Sequence, residues 1–254
     1  MDQVIERKQA GAYSADYLDW KSWGDEGFGA LTASTERYYA AEVKRAGLLG
    51  TTGLDVLEIG FGNGDFLTFS KRQEWKVIGT EMIPELVVAA RDAGFQAYDA
   101  SHLSKFDAAS LDLVMAMDVL EHIPADDIVP FIREIMRILR PGGVLLSHFP
   151  NGDSPFGLLY QNGDATHLNA IGTGKARYYA RMVGAEVVLL AGEARPIAAG
   201  SLAHSAQRLV AWPFKTLLNL LVRFIFLPGS QIDYSAPALT MILRKPADRM
   251  SSDR

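Results

Sequence analysis

The sequence of 254 residues has no cysteine, no basic tract and no internal repeat. Without cysteine the chain cannot form disulfides, use a thiolate nucleophile or bind a metal through sulfur, and this fits a reducing cytoplasm. The net charge of −5 does not favour nucleic acid as a partner. The first ten residues are polar and charged, so no signal peptide is expected.

Apolar residues make up 48% of the chain, enough for one sizeable hydrophobic core. The chain is organised around residues 54–67. There an apolar run ends at Glu58, three glycines follow at alternate positions, and helical periodicity begins at Phe66. This order predicts a strand, a glycine turn and a helix, which together open a nucleotide-binding βαβ unit.

The glycine turn has its own ligand preference. Gly60 and Gly62 let the backbone turn sharply and approach a ligand, and Gly64 lets the helix pack closely on the strand. A dinucleotide site would have glycine where this chain has Asp65, and a carboxylate there repels a phosphate. Glu58 adds a second negative group, so the turn favours a partly cationic nucleoside. The alternative is an ordinary tight turn.

Strands and helices alternate between residues 54 and 150, which predicts an α/β fold with a doubly wound, mostly parallel sheet. Ligands bind at the carboxyl ends of such strands, where Gly60, Glu81, Asp99 and Asp118 fall. Glu81 lies about twenty residues beyond the turn, where a carboxylate accepts hydrogen bonds from ribose hydroxyls. Asp99 is a candidate for binding an adenine amino group. The alternatives are a solvated strand end for Glu81 and a local turn or cap for Asp99.

The chain contains three characteristic blocks, LEIGFGNG (57–64), VLEHIP (119–124) and LRPGG (139–143). In this order and spacing, the blocks resemble class I S-adenosylmethionine-dependent methyltransferases. The similarity is greatest to the branch of the ubiquinone-biosynthesis O-methyltransferases, and it is strongest over residues 50–150. It implies a seven-stranded Rossmann-like sheet with a reversed last strand, for which residues 238–243 are the candidate.

The resemblance implies S-adenosylmethionine as the cofactor, and no metal site is predicted. It implies that the methionine moiety lies near Glu58 and Gly60, the ribose hydroxyls on Glu81 and the adenine near Met82. The implied cofactor-binding residues are Glu58, Gly60, Gly62, Gly64, Glu81, Met82, Asp99, Ala100, Met117 and Asp118.

Residues 150–175 are the expected acceptor side. They resemble, less specifically, the corresponding segments of methyltransferases that act on sugars of bacterial surface polysaccharides. Asp164 and His167 are the candidate catalytic residues: histidine is a natural general base for a hydroxyl near neutral pH, and a carboxylate can orient it or bind sugar hydroxyls. A capped turn with a hydrogen-bonded histidine is the alternative. His148 is expected in the core, and His122 is expected to stabilise its own turn.

The predicted domain organisation has three parts. They are a helical lid or attachment (1–50), the methyltransferase domain (51–200 and 236–246) and a helical insertion (201–235).

Within the insertion, the pattern of residues 213–227 predicts an amphipathic helix, with Lys215, Asn219 and Arg223 on one face. This helix is too short and too charged to span a bilayer. We expect it to pack on the domain or on a second copy of the chain, or to lie on the inner face of a membrane with anionic head groups.

The sequence thus predicts a cytoplasmic methyltransferase that transfers a methyl group to an oxygen of a small molecule or a glycan. Two other functions stay open. One is a nicotinamide-dependent dehydrogenase or epimerase, against which Asp65 counts. The other is a methyltransferase-like scaffold subunit that binds the cofactor without turnover.

Overall fold

The computed structural model describes residues 21, 27–197 and 201–247. Half of the predicted amino-terminal lid lies outside the described residues, including the aromatic positions Tyr13, Tyr17, Trp20 and Trp23. The strands are β1 (Asp55–Ile59), β2 (Lys76–Glu81), β3 (Gln96–Asp99), β4 (Leu111–Met117), β5 (Leu139–Pro150), β6 (Glu186–Gly192) and β7 (Ala238–Arg244). The helices are α1 (Ala33–Arg45), α2 (Asp65–Arg72), α3 (Pro84–Asp92), α4 (Ala125–Ile138), α5 (Gly157–Gly163), α6 (Thr173–Met182) and α7 (Leu202–Ile225).

The strands form one sheet in the order β3-β2-β1-β4-β5-β7-β6. Strands β1 to β5 pair in parallel, whereas β7 runs antiparallel to both β5 and β6. This confirms the predicted mostly parallel sheet with a reversed last strand. The strand order reverses between β1 and β4, so a crevice for a ligand opens at their carboxyl ends.

The centre of the sheet is buried on both faces because helices cover it. Strand β4 is fully buried from Leu113 to Ala116, as expected for a continuous apolar run in a parallel sheet. Helix α4 contributes Ile128, Ile132 and Ile135, which are fully buried at helical spacing. This apolar stripe of α4 agrees with the sequence pattern.

Helix α4 starts without a side-chain cap, and Pro124 holds the capping position. Asp126 and Asp127 lie in the first turn, where the positive end of the helix dipole favours their charge.

Helix α7 begins eleven residues before the predicted start at Pro213, so that prediction is wrong. The Ser201 side chain accepts a hydrogen bond from the backbone N–H of His204 at 3.2 Å and caps the helix. Pro213 lies inside the helix, although proline is favoured in a first turn. The helix start therefore follows the Ser201 cap and not the position of Pro213.

The polar face of α7 packs on the chain, and its apolar face is exposed. Asn219 donates a hydrogen bond to Asp233 at 2.8 Å, and Arg223 donates one to the carbonyl of Ile232 at 3.0 Å. The aromatic side chains point the other way; Phe224, for example, is 85% exposed. Within the described ranges, no helix combines the length and apolar character needed to cross a bilayer.

Candidate active site

The glycine turn between β1 and α2 adopts backbone conformations that favour glycine. Gly60, Gly62 and Gly64 have φ values of 68°, 51° and 79°. A Cβ at Gly60 would lie 2.9 Å from a methyl carbon of Val119, and one at Gly64 would overlap the ring of Phe28. Gly64 is therefore needed to accommodate Phe28, a reason that differs from the predicted packing of helix on strand.

Residues 27–29, in the middle of the predicted lid, lie on this turn. The N–H of Gly29 donates to the carbonyl of Asn63 at 2.6 Å, and the Asn63 amide donates to the carbonyl of Gly27 at 3.4 Å. The Phe28 ring meets the Phe61 ring edge to face at 6.0 Å. Residues 27–29 therefore cover the outer side of the glycine turn.

Glu58, at the end of β1, carries a buried oxygen that needs a donor. Its side chain is buried, and Oε2 accepts no hydrogen bond from the described part of the chain. Burial raises the pKa of Glu58 well above its ordinary value, and the nearby charges of Asp65 and Glu81 raise it further. A cationic ammonium group would satisfy this oxygen, so the site fits the amino-acid moiety of S-adenosylmethionine.

Glu81, at the end of β2, is not a solvated strand end. It is buried and accepts backbone N–H groups from Gly62 at 3.0 Å, Met82 at 2.6 Å and Ile83 at 3.2 Å. Burial raises the pKa of this carboxyl, and the three hydrogen bonds oppose that shift. Glu81 thus ties the glycine turn to β2, and a carboxylate can accept further donors such as ribose hydroxyls.

Asp99 and Ala100, at the end of β3, are exposed. The Asp99 carboxylate accepts the backbone N–H of Ser101 at 3.0 Å and also the Ser101 hydroxyl, so it caps the short 3-10 helix Ala100–Lys105. The hydrogen bond from the Ser101 hydroxyl lowers the pKa of Asp99. The local capping role is therefore present, and a contact with adenine stays a prediction.

Past Met117, the last residue of β4, Asp118 has a φ of 53°, which is uncommon outside glycine. Its Oδ1 lies 2.7 Å from Nδ1 of His148, whose Nε2 lies 3.4 Å from Glu193. Burial opposes the charged imidazole, but the two carboxylates prevail and raise the pKa of His148 well above its ordinary value. His148 is hydrogen-bonded as expected, yet it borders a cavity instead of packing in the core.

This cavity, of about 370 Å³, lies beyond the carboxyl ends of β4 and β5. Leu159 and Tyr160 of α5 form part of its wall. Polar side chains that can bind hydroxyl groups converge on it from several elements. Its charged and imidazole side chains are Lys21, Asp118, Glu121, His148, Asp164, His167 and Glu193.

The structure brings the predicted catalytic residues Asp164 and His167 together in the cavity wall. Nε2 of His167 lies 3.8 Å from a carboxylate oxygen of Asp164 and 3.9 Å from one of Glu121. Both distances are longer than a hydrogen bond but short enough for an ion pair. Asp164 accepts hydrogen bonds from the N–H and hydroxyl of Thr166, and it pairs with Lys21 at 3.0 Å. Although burial opposes ionisation, these contacts hold the pKa of Asp164 well below its usual range.

Glu121 is a site residue that the sequence analysis did not identify. It is 1% exposed, and neither carboxylate oxygen accepts a hydrogen bond from the described residues. Burial, and then the charge of Asp118, raise the pKa of Glu121 well above its ordinary value. An acidic residue four positions after the end of β4 was the available signal, because it follows the carboxyl end of a central strand.

The side chain of His122 contacts the loop that carries Asp164, and its expected role in stabilising its own turn stays a prediction. Its Nδ1 lies 3.3 Å from the carbonyl oxygen of Thr166 and 3.0 Å from the Thr166 hydroxyl. Its ring lies edge to face with that of His167, with centroids 4.6 Å apart. Burial, and then the charge of His167, lower the pKa of His122 to about 4, so it is neutral near pH 7.

Known proteins share this fold and part of this sequence. Residues 57–147 match a family model described as a methyltransferase domain. The ubiquinone biosynthesis O-methyltransferase of Xanthomonas oryzae is 32% identical over 105 residues, which cover 38% of this chain and 43% of that protein. The chain therefore spans less than half the length of the curated relatives it matches.

Two solved structures extend the comparison over most of the chain. A SAM-dependent methyltransferase from Archaeoglobus fulgidus has a TM-score of 0.61 at 16% identity, covering 83% of this chain and 94% of that one. The 1,6-didemethyltoxoflavin-N1-methyltransferase of Burkholderia thailandensis, solved with S-adenosylhomocysteine, has a TM-score of 0.58 at 16% identity. The match covers 96% of this chain and 88% of that one.

The chain carries a class I S-adenosylmethionine-dependent methyltransferase domain. The family match, the curated relatives and the shared fold confirm the predicted resemblance. They also confirm the enzyme class of this domain and its cofactor, S-adenosylmethionine.

Proposed function

We propose that the whole chain is a methyltransferase that methylates an oxygen of a small molecule or of a sugar in a glycan or polysaccharide. The observation that carries this proposal is the cavity lined by carboxylates and imidazoles, next to the crevice between β1 and β4. The O-methyltransferases among the curated relatives support oxygen as the acceptor atom.

Residues at the carboxyl ends of β1 and β2 bind the cofactor in this proposal. When bound, S-adenosylmethionine supplies an activated methyl group on a sulfonium. The buried Oε2 of Glu58 accepts its ammonium group, and Glu81 holds the ribose hydroxyls while keeping the glycine turn in place. The remaining predicted contacts, with Met82, Asp99 and Met117, are part of the same proposal.

The acceptor hydroxyl lies in the cavity against His167. The acceptor oxygen loses its proton to His167 and bonds to the methyl carbon as the carbon–sulfur bond breaks, and the electron pair of that bond stays on sulfur. Asp164 remains ionised, so its negative charge favours the protonated imidazole. Because the methyl group is already activated, most of the rate comes from alignment of the reacting atoms and exclusion of water.

The size and charge of the surroundings support an acceptor larger than a single ring. The cavity shares Tyr160 and Glu193 with a second cavity of about 810 Å³ along α7. Arg195, Arg208 and Lys215 line this second cavity. Cations there suit an acceptor with an anionic group some distance from the methylated oxygen, as in a phosphorylated glycan carrier.

We further propose that the chain is cytoplasmic and contacts the inner face of the membrane through α7. The contact uses the exposed apolar face, which includes Trp212, Phe214 and Phe224, because Asn219 and Arg223 of the polar face bind the chain itself. Co-sedimentation with anionic vesicles should fall on Phe224→Glu. A homodimer through the same face, detected by light scattering without vesicle binding, would replace this proposal.

Transfer of a labelled methyl group from S-adenosylmethionine to a panel of hydroxylated acceptors tests the function. Sugars and phosphorylated glycans should accept label, and amine acceptors should not. Binding of S-adenosylhomocysteine with no transfer to any acceptor would support a scaffold subunit. The dehydrogenase or epimerase alternative requires a phosphate beside Asp65, and turnover with a nicotinamide cofactor would establish it.

A further inference from the structure

Glu121, His122 and His167 form a side-chain cluster whose potential metal-binding atoms all lie within 4.8 Å of one another. Two of them, Glu121 and His167, also line the acceptor cavity. Two imidazoles and one carboxylate are a common ligand set for divalent transition metals, whereas magnesium and calcium prefer oxygen ligands alone. The ligand types in this cluster therefore favour a divalent transition metal over magnesium or calcium.

The carboxylate of Glu121 is the strongest sign that a ligand is expected. It is 1% exposed, and neither oxygen accepts a hydrogen bond from the part of the chain that the structure describes. Nδ1 of His167, also buried, has no hydrogen-bond partner among the same residues. A buried charge without donors is costly, and a bound cation removes that cost.

Hydrogen bonds fix the orientation of His122. The Thr166 hydroxyl donates its only hydrogen to Asp164 at 2.5 Å, so toward His122 its oxygen acts as an acceptor, like the Thr166 carbonyl. Nδ1 of His122 therefore carries the proton, and the lone pair is on Nε2. Histidines that bind metals commonly donate their other N–H to a backbone carbonyl in this way.

Backbone hydrogen bonds hold the three residues in one place. The carbonyl oxygen of Glu121 accepts the N–H groups of Leu168 at 2.8 Å and Asn169 at 3.0 Å. The loop that carries His167 is thus attached to the turn that carries Glu121 and His122. A metal would meet a largely preformed site, which reduces the ordering cost of binding.

Lys21 is a positive charge that lines the same cavity as Glu121 and His167. It pairs with Asp164 at 3.0 Å, and Asp164 also accepts two hydrogen bonds from Thr166. Asp164 is therefore occupied, which leaves Glu121 as the carboxylate ligand of the cluster.

We propose that Glu121, His122 and His167 bind one divalent transition metal ion, with Zn²⁺ as the expected species and an open position toward the cavity. Metal binding itself does not depend on the proposed function. Only its role rests on that function: the ion would lower the pKa of the acceptor hydroxyl as a Lewis acid, and the hydroxyl would release its proton to water. His167 would then bind the ion and would not act as the general base.

The experiment starts from full-length protein freed of metal by a chelator that is then removed. Cobalt(II) serves as the optical probe, and zinc retained after dialysis is counted by elemental analysis. We expect one cobalt ion per chain with visible absorption bands, and one zinc ion retained. Glu121→Gln and His167→Ala should each weaken cobalt binding by about 10-fold or more.

His102→Gln is the matched control, because His102 is an imidazole outside the cluster, stacked on Tyr98. It should bind cobalt like the unaltered protein. Circular dichroism and S-adenosylhomocysteine affinity verify that each variant is folded. Absence of stoichiometric metal, or equal cobalt affinity in Glu121→Gln, overturns the proposal.

The outcomes separate the metal site from the proposed function. Methyl transfer by a protein that binds no stoichiometric cobalt or zinc refutes the metal site and leaves the function intact, and unchanged transfer in metal-free protein refutes the Lewis-acid role of the ion. Stoichiometric metal without transfer to any acceptor refutes the function and leaves the metal site intact.

Discussion

At the scale of single residues, Glu81 has two roles: it accepts backbone hydrogen bonds that hold the glycine turn, and it is the predicted partner of the ribose. Glu81→Ala removes the acceptor of three backbone N–H groups and the predicted partner of the ribose. We expect S-adenosylhomocysteine affinity, measured by calorimetry, to fall about 10-fold, because charge-assisted hydrogen bonds contribute about 1.5–3 kcal/mol each.

Glu85→Ala is the control for Glu81, since Glu85 is an exposed carboxylate at the start of the next helix. It should leave the affinity unchanged. Unchanged affinity in Glu81→Ala would remove Glu81 from the cofactor site.

Substitution of His167 tests the proposed role of the acceptor cavity. We expect His167→Ala to slow methyl transfer roughly 10- to 100-fold near neutral pH, whether the imidazole acts as base or as metal ligand. Affinity for S-adenosylhomocysteine should not change, because His167 lies in the acceptor cavity. Full activity across the pH range would make His167 a residue of the capped turn only.

His148 predicts a pH dependence of stability. Its pKa is raised in the folded state by Asp118 and Glu193, against the opposing effect of burial. A raised pKa gives stability that is complete below about 6.5, the ordinary value, and is lost as pH rises through the folded value. The free energy of unfolding in urea should therefore fall from pH 6 upward.

His148→Gln should flatten this slope. A slope that is equally steep in the variant would assign the pH dependence to other groups.

At the scale of elements, the glycine turn depends on Phe28 as much as on its own backbone. We expect Gly64→Ala to lower the free energy of unfolding by about 2–4 kcal/mol, because left-handed backbone conformation and overlap with Phe28 both oppose a methyl group. Urea denaturation measures the loss.

Gly94→Ala separates the two causes. Gly94 has the same φ of 79°, and a Cβ there would meet no other atom within 4 Å. It should cost only the conformational part, about 1–2 kcal/mol. Equal losses at Gly64 and Gly94 would show that Phe28 does not press on the turn.

Elements were predictable where one local signal dominates. The glycines predicted the turn, and the stripe of Ile128, Ile132 and Ile135 predicted α4. Pro213 predicts a wrong start for α7, because a proline inside a helix resembles a helix start, and the helix begins after the Ser201 cap. The contact of Phe28 with Gly64 joins residues that are distant in sequence, so no local pattern reveals it.

At the scale of the whole molecule, alternating strands and helices were enough to predict the sheet and its reversed last strand. The cofactor edge could be predicted too, because strand ends are visible in the sequence. The acceptor side could not, because it depends on how loop 164–169 folds back on Glu121 and His122. The orphaned carboxylate of Glu121 exists only in the folded chain.

The crevice at the ends of β1 and β4 should bind S-adenosylmethionine and not a dinucleotide. Calorimetric titration of the purified chain with S-adenosylhomocysteine, and separately with NAD, distinguishes the two. We expect micromolar binding of S-adenosylhomocysteine and no binding of NAD, because Glu58 and Asp65 favour a cationic group and repel a pyrophosphate. Binding of NAD alone would show that the crevice is a dinucleotide site.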